Sequence, residues 1–148
     1  MRLAVSGTQE VRAPIEQVWA HLLDHEFVAA CAPNVESVRA IDDTHFSLVA
    51  ALGIGSIGLT FALDAELTEI VPLTTLRMQL KGSAPGSAVR AESGATLTST
   101  SADRTTLDWT LSSDVHGTIA SVGARMLKGT AKKLTAAFWK KFAARVDS

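Results

Sequence analysis

Apolar residues recur along this chain with two different periods, and the changes of period divide it into elements. Between Leu3 and Val11, the apolar Leu3, Val5 and Val11 stand among polar and small residues, which predicts a first strand. Pro14 then opens a helix, because the N–H that proline lacks would find no intrahelical acceptor there anyway. Ile15, Val18, Trp19 and Leu22 follow at helical spacing as one apolar stripe. A second short helical piece starts at His25 and ends near Cys31, since a residue preceding proline, here Pro33, is pushed out of helical geometry.

The middle of the chain runs with period two. Phe46, Leu48, Ala50 and Leu52 alternate with polar or small residues. Ile57, Leu59, Phe61, Leu63, Ala65 and Leu67 give the cleanest alternation, with Thr60, Asp64, Glu66 and Thr68 opposite. Leu76, Met78 and Leu80 continue it, then Val89, Ala91, Ala95 and Leu97, then Leu107, Trp109, Leu111 and Val115. Such strands build an antiparallel sheet wet on one face and covered on the other. Turn signals fall between them: Asp42-Asp43, the glycine-rich run Gly53 to Gly58, Pro72, Pro85-Gly86 and Ala102-Asp103.

A long helix over about Thr118 to Val146 closes the pattern, with Thr118 as its N-cap. At ~100° per residue, Leu127, Ala131, Leu134, Phe138 and Phe142 share roughly a quarter of its circumference. The order is strand, two helices, about six strands, long helix, an α+β layout with helices on one face of a curved antiparallel sheet of six to seven strands. The 148 residues suit one domain spanning 1–148.

Composition adds exclusions. With 47% hydrophobic and 20% charged residues, the chain is an ordinary globular one. A net charge of −1 offers no field for nucleic acid, so no such partner is expected. Cys31 is the only cysteine and forms no intrachain disulfide. Met1 to Gly7 contains no apolar run of signal length, and no stretch reaches the ~20 apolar residues that span a bilayer. The expected compartment is the cytoplasm, with a peripheral place at the inner membrane face as the further option.

A curved sheet with a helix laid across it leaves space between them. Small residues that would make room are Ala50, Ala65, Ala91, Ala95 and Gly123. The expected walls of a ligand cavity are Phe46, Leu48, Phe61, Leu63, Met78, Leu80, Trp109, Leu111, Val122, Met126 and Phe138. The same pattern also fits a filled core.

Several features taken in order resemble the CoxG-like family of carbon monoxide dehydrogenase subunits, a branch of the START-like, polyketide cyclase (SRPBCC) superfamily. They are Gly7, the run Val11-Arg12-Ala13-Pro14-Ile15-Glu16-Gln17-Val18-Trp19, Leu22 and Asp24, and the turn Cys31-Ala32-Pro33-Asn34-Val35-Glu36. Gly53 to Phe61, Gly82, Thr106, Trp109 and Gly117 through Gly123 continue the likeness. The family's usual turn glycine is Asn34 here, and asparagine is the other residue that best tolerates φ > 0. The resemblance implies the helix-grip fold, a hydrophobic ligand, and association with a molybdenum hydroxylase of the carbon monoxide dehydrogenase type in recruitment or maturation. Many relatives carry a tail leading to a membrane anchor. This sequence ends at Asp147-Ser148, so attachment through such a tail is not expected.

Other motifs have plain explanations. Gly53-Ile54-Gly55-Ser56-Ile57-Gly58 spells a dinucleotide fingerprint but precedes a strand where that motif needs a helix, so a hairpin turn is expected. His21 and His25 have the i, i+4 spacing of metal ligands, yet no third ligand is spaced to join them, so no metal is expected. No G-x-S-x-G elbow occurs, and Asp64, Glu66 and Glu69 fall on the solvent side, so no catalytic residues are assigned. Glu36 and its neighbours Pro33 and Asn34 belong near a cavity mouth, Glu36 accepting local backbone hydrogen bonds. Arg125, Lys128 and Lys132 flank Trp139 on the helical wheel, a candidate membrane or partner face against the plainer reading of a solvated face.

Three functions follow. The leading one is non-catalytic binding of a lipid or quinone-like molecule, with no cofactor and with an oxidoreductase as candidate partner. The second is a small cyclase or hydrolase working on a hydrophobic substrate in the same cavity. The third is a docking module with a filled core, acting through the basic helix or as a homodimer.

Overall fold

Residues 1–54 and 57–147 are described in the computed structural model. Strand β1 (Arg2–Val11) leads into helices α1 (Ile15–Leu22) and α2 (His25–Cys31). Strands β2 (Val35–Ala40), β3 (His45–Ile54), β4 (Ile57–Val71), β5 (Thr75–Ala84), β6 (Ser87–Ser101) and β7 (Arg104–Gly117) follow as a meander. A 3-10 turn (Thr118–Val122) and helix α3 (Ala124–Asp147) complete the chain. The sheet order is β1-β7-β6-β5-β4-β3-β2, with every pair antiparallel.

That order makes β1 and β2 opposite edges, so α1 and α2 carry the chain across one end of the sheet from edge to edge. The carbonyl of Pro14 accepts from the N–H groups of Gln17 and Val18 at 3.0 and 3.1 Å. Asp24 caps α2, its Oδ1 accepting from the N–H groups of Glu26 and Phe27, each at 3.2 Å. The helix stops at Ala32, whose backbone is extended as the approach to Pro33 requires.

The strands keep the period-two burial their sequences predict: in β4, Phe61, Ala65 and Leu67 point inward while Asp64, Glu66 and Glu69 are exposed. Two inner-face rows cross the sheet. One runs Phe46–Ala65–Leu80–Ala91–Ser113–Leu3 and the other Leu67–Met78–Ser93–Leu111–Val5. Register shifts between Leu67 and Glu69 and between Ser99 and Ser101 bend the long strands, as bulges do. At the edge, β2 is an element that hydrophobic period does not disclose, because both its faces are largely exposed.

The last helix departs from expectation. It is broken at Gly123, whose φ of 96° is a conformation that L-residues rarely adopt, so α3 starts at Ala124 and Thr118 opens only the 3-10 turn. Gly123 thus serves the bend and makes no room for a ligand. Helix α3 lies nearest β1 and does not cover the sheet evenly.

Burial divides into three clusters. The largest joins Trp19, Leu22, Leu107, Trp109, Trp139, Phe142 and Val146 around the C-terminal half of α3. A second, at the opposite end, groups Leu3, Ile54, Phe61, Val115, Ile119 and Leu127. The third, Ala29, Phe46, Leu48, Ala50 and Ala65, lies under α2 on the sheet side that α3 covers least.

Candidate ligand cavity

Between the third cluster and α3 lies a cavity of about 270 Å³. Its sheet wall comes from β3 (Phe46, Leu48, Ala50, Leu52), Leu63 of β4, Met78 and Leu80 of β5, Ser93 and Leu111. Its roof is Leu134, Thr135, Phe138 and Trp139 of α3, and one side is closed by Val28, Ala29, Ala32 and Pro33. Among the described residues, no charged side chain lines it. A smaller space of about 60 Å³ adjoins it, bordered by Phe46, Met78, Ser93, Phe138 and Trp139 in common with the first and also by His25 and Ala95. Larger depressions exist elsewhere. The outer sheet face has one of about 350 Å³ walled by Arg2, Lys81, Arg90, Glu92 and Asp114, but a charged external surface does not fit an apolar ligand.

Of the wall residues expected from the sequence, Phe46, Leu48, Leu63, Met78, Leu80, Leu111 and Phe138 line the cavity. Four others do not. Phe61 is consumed by the cluster with Leu3 and Leu127, and Trp109 by the largest cluster, where its indole lies over Gly7. Val122 belongs to the 3-10 turn and packs on the second cluster. Met126 is 49% exposed, because the break at Gly123 sets the first turn of α3 at an angle no continuous wheel anticipates. Val28, Ala29, Ala32, Leu52, Ser93, Leu134 and Thr135 are walls that sequence pattern does not reveal; only their three-dimensional neighbours mark them.

The turn motif divides in the same way. Pro33 lines the cavity, and Asn34 takes φ 57°, the left-handed geometry its substitution for glycine allows. The Asn34 carbonyl accepts from the Ala51 N–H at 3.1 Å, fastening the turn to β3. Glu36 is exposed and, among the described residues, its carboxylate accepts no hydrogen bond, so the local backbone role does not hold.

The candidate outer face on α3 also changes. Arg125, Lys128 and Lys132 are exposed, but Trp139 is only 6% exposed, edge-on to Phe138 and Phe142. The reason is local: α1 and α2 pack on the C-terminal half of α3 and widen its buried arc toward the basic stripe. Exposed apolar side chains gather at another end instead. Leu23, Ile41 and Ile70 rim a surface groove, with Val71 and Leu73 on the adjacent β4–β5 turn.

Titratable groups stand around the cavity, not in it. His25 Nε2 is 3.0 Å from the Asp42 carbonyl and its ring stacks on Phe46. The His21 ring packs on Phe27. His45 Nδ1 sits 2.9 Å from Asp42 Oδ1, and that hydrogen bond raises the imidazole above its ordinary value, helped by the Asp42 and Glu66 charges. The same bond, with the Thr44 N–H, draws the Asp42 carboxyl down to about 2. Cys31 is buried at the end of α2, its Sγ 3.3 Å from the Phe27 carbonyl, and desolvation raises its thiol pKa. The fingerprint-like run lies between the paired ends of β3 and β4, with Gly55 and Ser56 outside the described residues. Among the described residues, no helix is long and apolar enough to cross a membrane.

A seven-stranded antiparallel meander with a terminal helix across its inner face is the START-like helix-grip fold. A START superfamily protein from Mycobacterium smegmatis superposes with a TM-score of 0.73 at 18% identity, over 97% of this chain and 96% of its own. The Zhui aromatase/cyclase from Streptomyces sp. R1128 gives 0.73 at 18% identity, over 99% of this chain and 94% of its own. A conserved protein from Geobacillus kaustophilus is more similar, with a TM-score of 0.88 and 27% identity over 99% and 95% of the two chains. Within that fold, the model of the CoxG family of carbon monoxide dehydrogenase subunits matches residues 7–147, and the chain belongs to this family. No curated protein matches it in sequence.

Proposed function

We propose that this domain binds a hydrophobic small molecule, lipid-like or quinone-like, in the cavity between α3 and strands β3 to β5, without converting it. The observation that carries this reading is the space itself: about 270 Å³ walled by aliphatic and aromatic side chains and by no charge. Water in such a space finds few hydrogen-bond partners, so an apolar molecule displaces it favourably. Family membership supports the same reading and adds an accessory role beside a molybdenum hydroxylase of the carbon monoxide dehydrogenase type. The exposed Arg125, Lys128 and Lys132 are the groups through which α3 would meet an acidic partner or an anionic lipid surface.

Catalysis has weaker support. The likeness to an aromatase/cyclase at 18% identity concerns the fold alone. Proton transfer needs two polar groups within reach of one another. The wall offers two hydroxyls, Ser93 and Thr135, and Thr135 Oγ1 already donates to the Ala131 carbonyl at 2.6 Å.

Native mass spectrometry of gently purified protein tests the binding reading directly. The expected result is a bound apolar species that Leu80→Trp, which fills the space, excludes while the protein stays folded. An empty wild-type protein with no affinity for quinones or long-chain alcohols would defeat the proposal. Charge reversal at Lys128 and Lys132 tests the docking role by pull-down of the hydroxylase, with loss of capture expected.

A further inference from the structure

We infer that the cavity selects an uncharged ligand whose apolar body carries a hydrogen-bond acceptor, a carbonyl or hydroxyl, and that Ser93 is the residue that recognises it. This rests on the binding reading above and specifies the ligand class. In the inner-face row Leu67–Met78–Ser93–Leu111–Val5, Ser93 is the one polar side chain. It borders both the larger and the smaller cavity, beside Phe46, Met78 and Phe138 where the two adjoin.

Two observations give that position meaning. Among the described residues, the Ser93 hydroxyl forms no hydrogen bond, whereas the other hydroxyl on the wall, Thr135, is committed to the Ala131 carbonyl. A hydroxyl facing an apolar space must find its partner in water or in the occupant, and an occupant without an acceptor leaves it desolvated and unpaired. Secondly, among the described residues no Lys or Arg lines either space. The one ionisable neighbour among them is His25 on the smaller space, with Nε2 held by the Asp42 carbonyl. A carboxylate or phosphate drawn inside would lose its hydration with no cation to replace it. Neutral ligands escape that penalty.

Three probes with a single aromatic body separate these terms: 2-acetylnaphthalene, 2-isopropylnaphthalene and 2-naphthoate. Calorimetric titration at neutral pH would compare wild type with Ser93→Ala, and with Ser93→Cys, which keeps the side-chain size but donates weakly. Ser93→Ala should weaken 2-acetylnaphthalene roughly five- to tenfold and leave 2-isopropylnaphthalene unchanged, with Ser93→Cys between. In wild type, 2-naphthoate should bind at least about a hundredfold more weakly than 2-acetylnaphthalene. Equal effects of Ser93→Ala on both neutral probes, or naphthoate binding as tightly as the ketone, would overturn the inference while leaving an apolar-ligand cavity intact. If neither neutral probe binds wild type, the binding reading falls with it.

Discussion

The two ends of the interior are built from similar residue types and pack differently. Around the C-terminal half of α3, Phe142, Leu107, Val11 and Val18 are almost fully buried, and Trp19, Trp109 and Trp139 fill what lies between them. Under α2, the inner face of β3 to β5 is just as apolar, yet Met78, Leu80 and Leu63 stay only half-buried beside an open space. What separates the regions is coverage: α1, α2 and β1 press on one half of α3, while the strands beyond β6 have little helix above them. Hydrophobic sequence makes a wall, and the placement of the helix decides whether the wall meets another wall.

Perturbations of matching size should therefore have unequal consequences. Phe142→Ala removes a ring from a filled region and should cost about 3–5 kcal/mol in urea unfolding. Two glycine substitutions make a tighter comparison. A Cβ at Gly7 would run into the Trp109 indole, which has nowhere to go, so Gly7→Ala should cost about 1–3 kcal/mol. A Cβ at Gly82 would meet a terminal methyl of Leu63, and Leu63 can turn into the cavity it lines. Gly82→Ala should change stability by less than about 1 kcal/mol and instead reduce ligand affinity, since the displaced methyl takes up ligand space. Equal destabilisation by the two changes would mean that both regions are packed alike.

The smallest effect lies at the rim, in the β2–β3 turn. His45 has a raised pKa in the folded protein, so its contribution is complete below its ordinary 6.5 and fades as pH climbs through the raised value. Asp42 has a lowered one, so its contribution is complete above its ordinary 3.8 and is lost as pH falls through about 2. The turn should hold best between those limits, in mildly acid solution. Asp42→Asn should bring the His45 titration, followed by its ring proton shifts in NMR, back toward the ordinary imidazole value. A His45 curve unmoved by that substitution would mean that the contact does not persist in solution.

Much of the architecture is legible in the residues alone, because one wet face imposes period two and one covered face imposes the helical stripe. The left-handed turn at Asn34 is legible for a related reason: few side chains tolerate that geometry. Strand β2 is not, since an exposed edge strand has no face to bury and so leaves no periodic trace. The cavity is half legible. Alternation assigns Phe46, Met78 and Trp109 alike to the inner face but cannot say that a second layer reaches Trp109 and stops short of Met78. Trp139 shows the same limit on a helix, where a wheel gives relative angle and the neighbours decide which angle is wet.

The buried thiol of Cys31 has a practical consequence. It terminates the helix that walls the cavity on one side, and its raised pKa keeps it protonated as well as covered. Alkylation of the native protein is thus a clock for the lifting of α2, run by a reagent that sees nothing until the segment opens. An occupant that pins α2 should slow that clock, which lets loading and release be timed without labelling either the protein or its cargo.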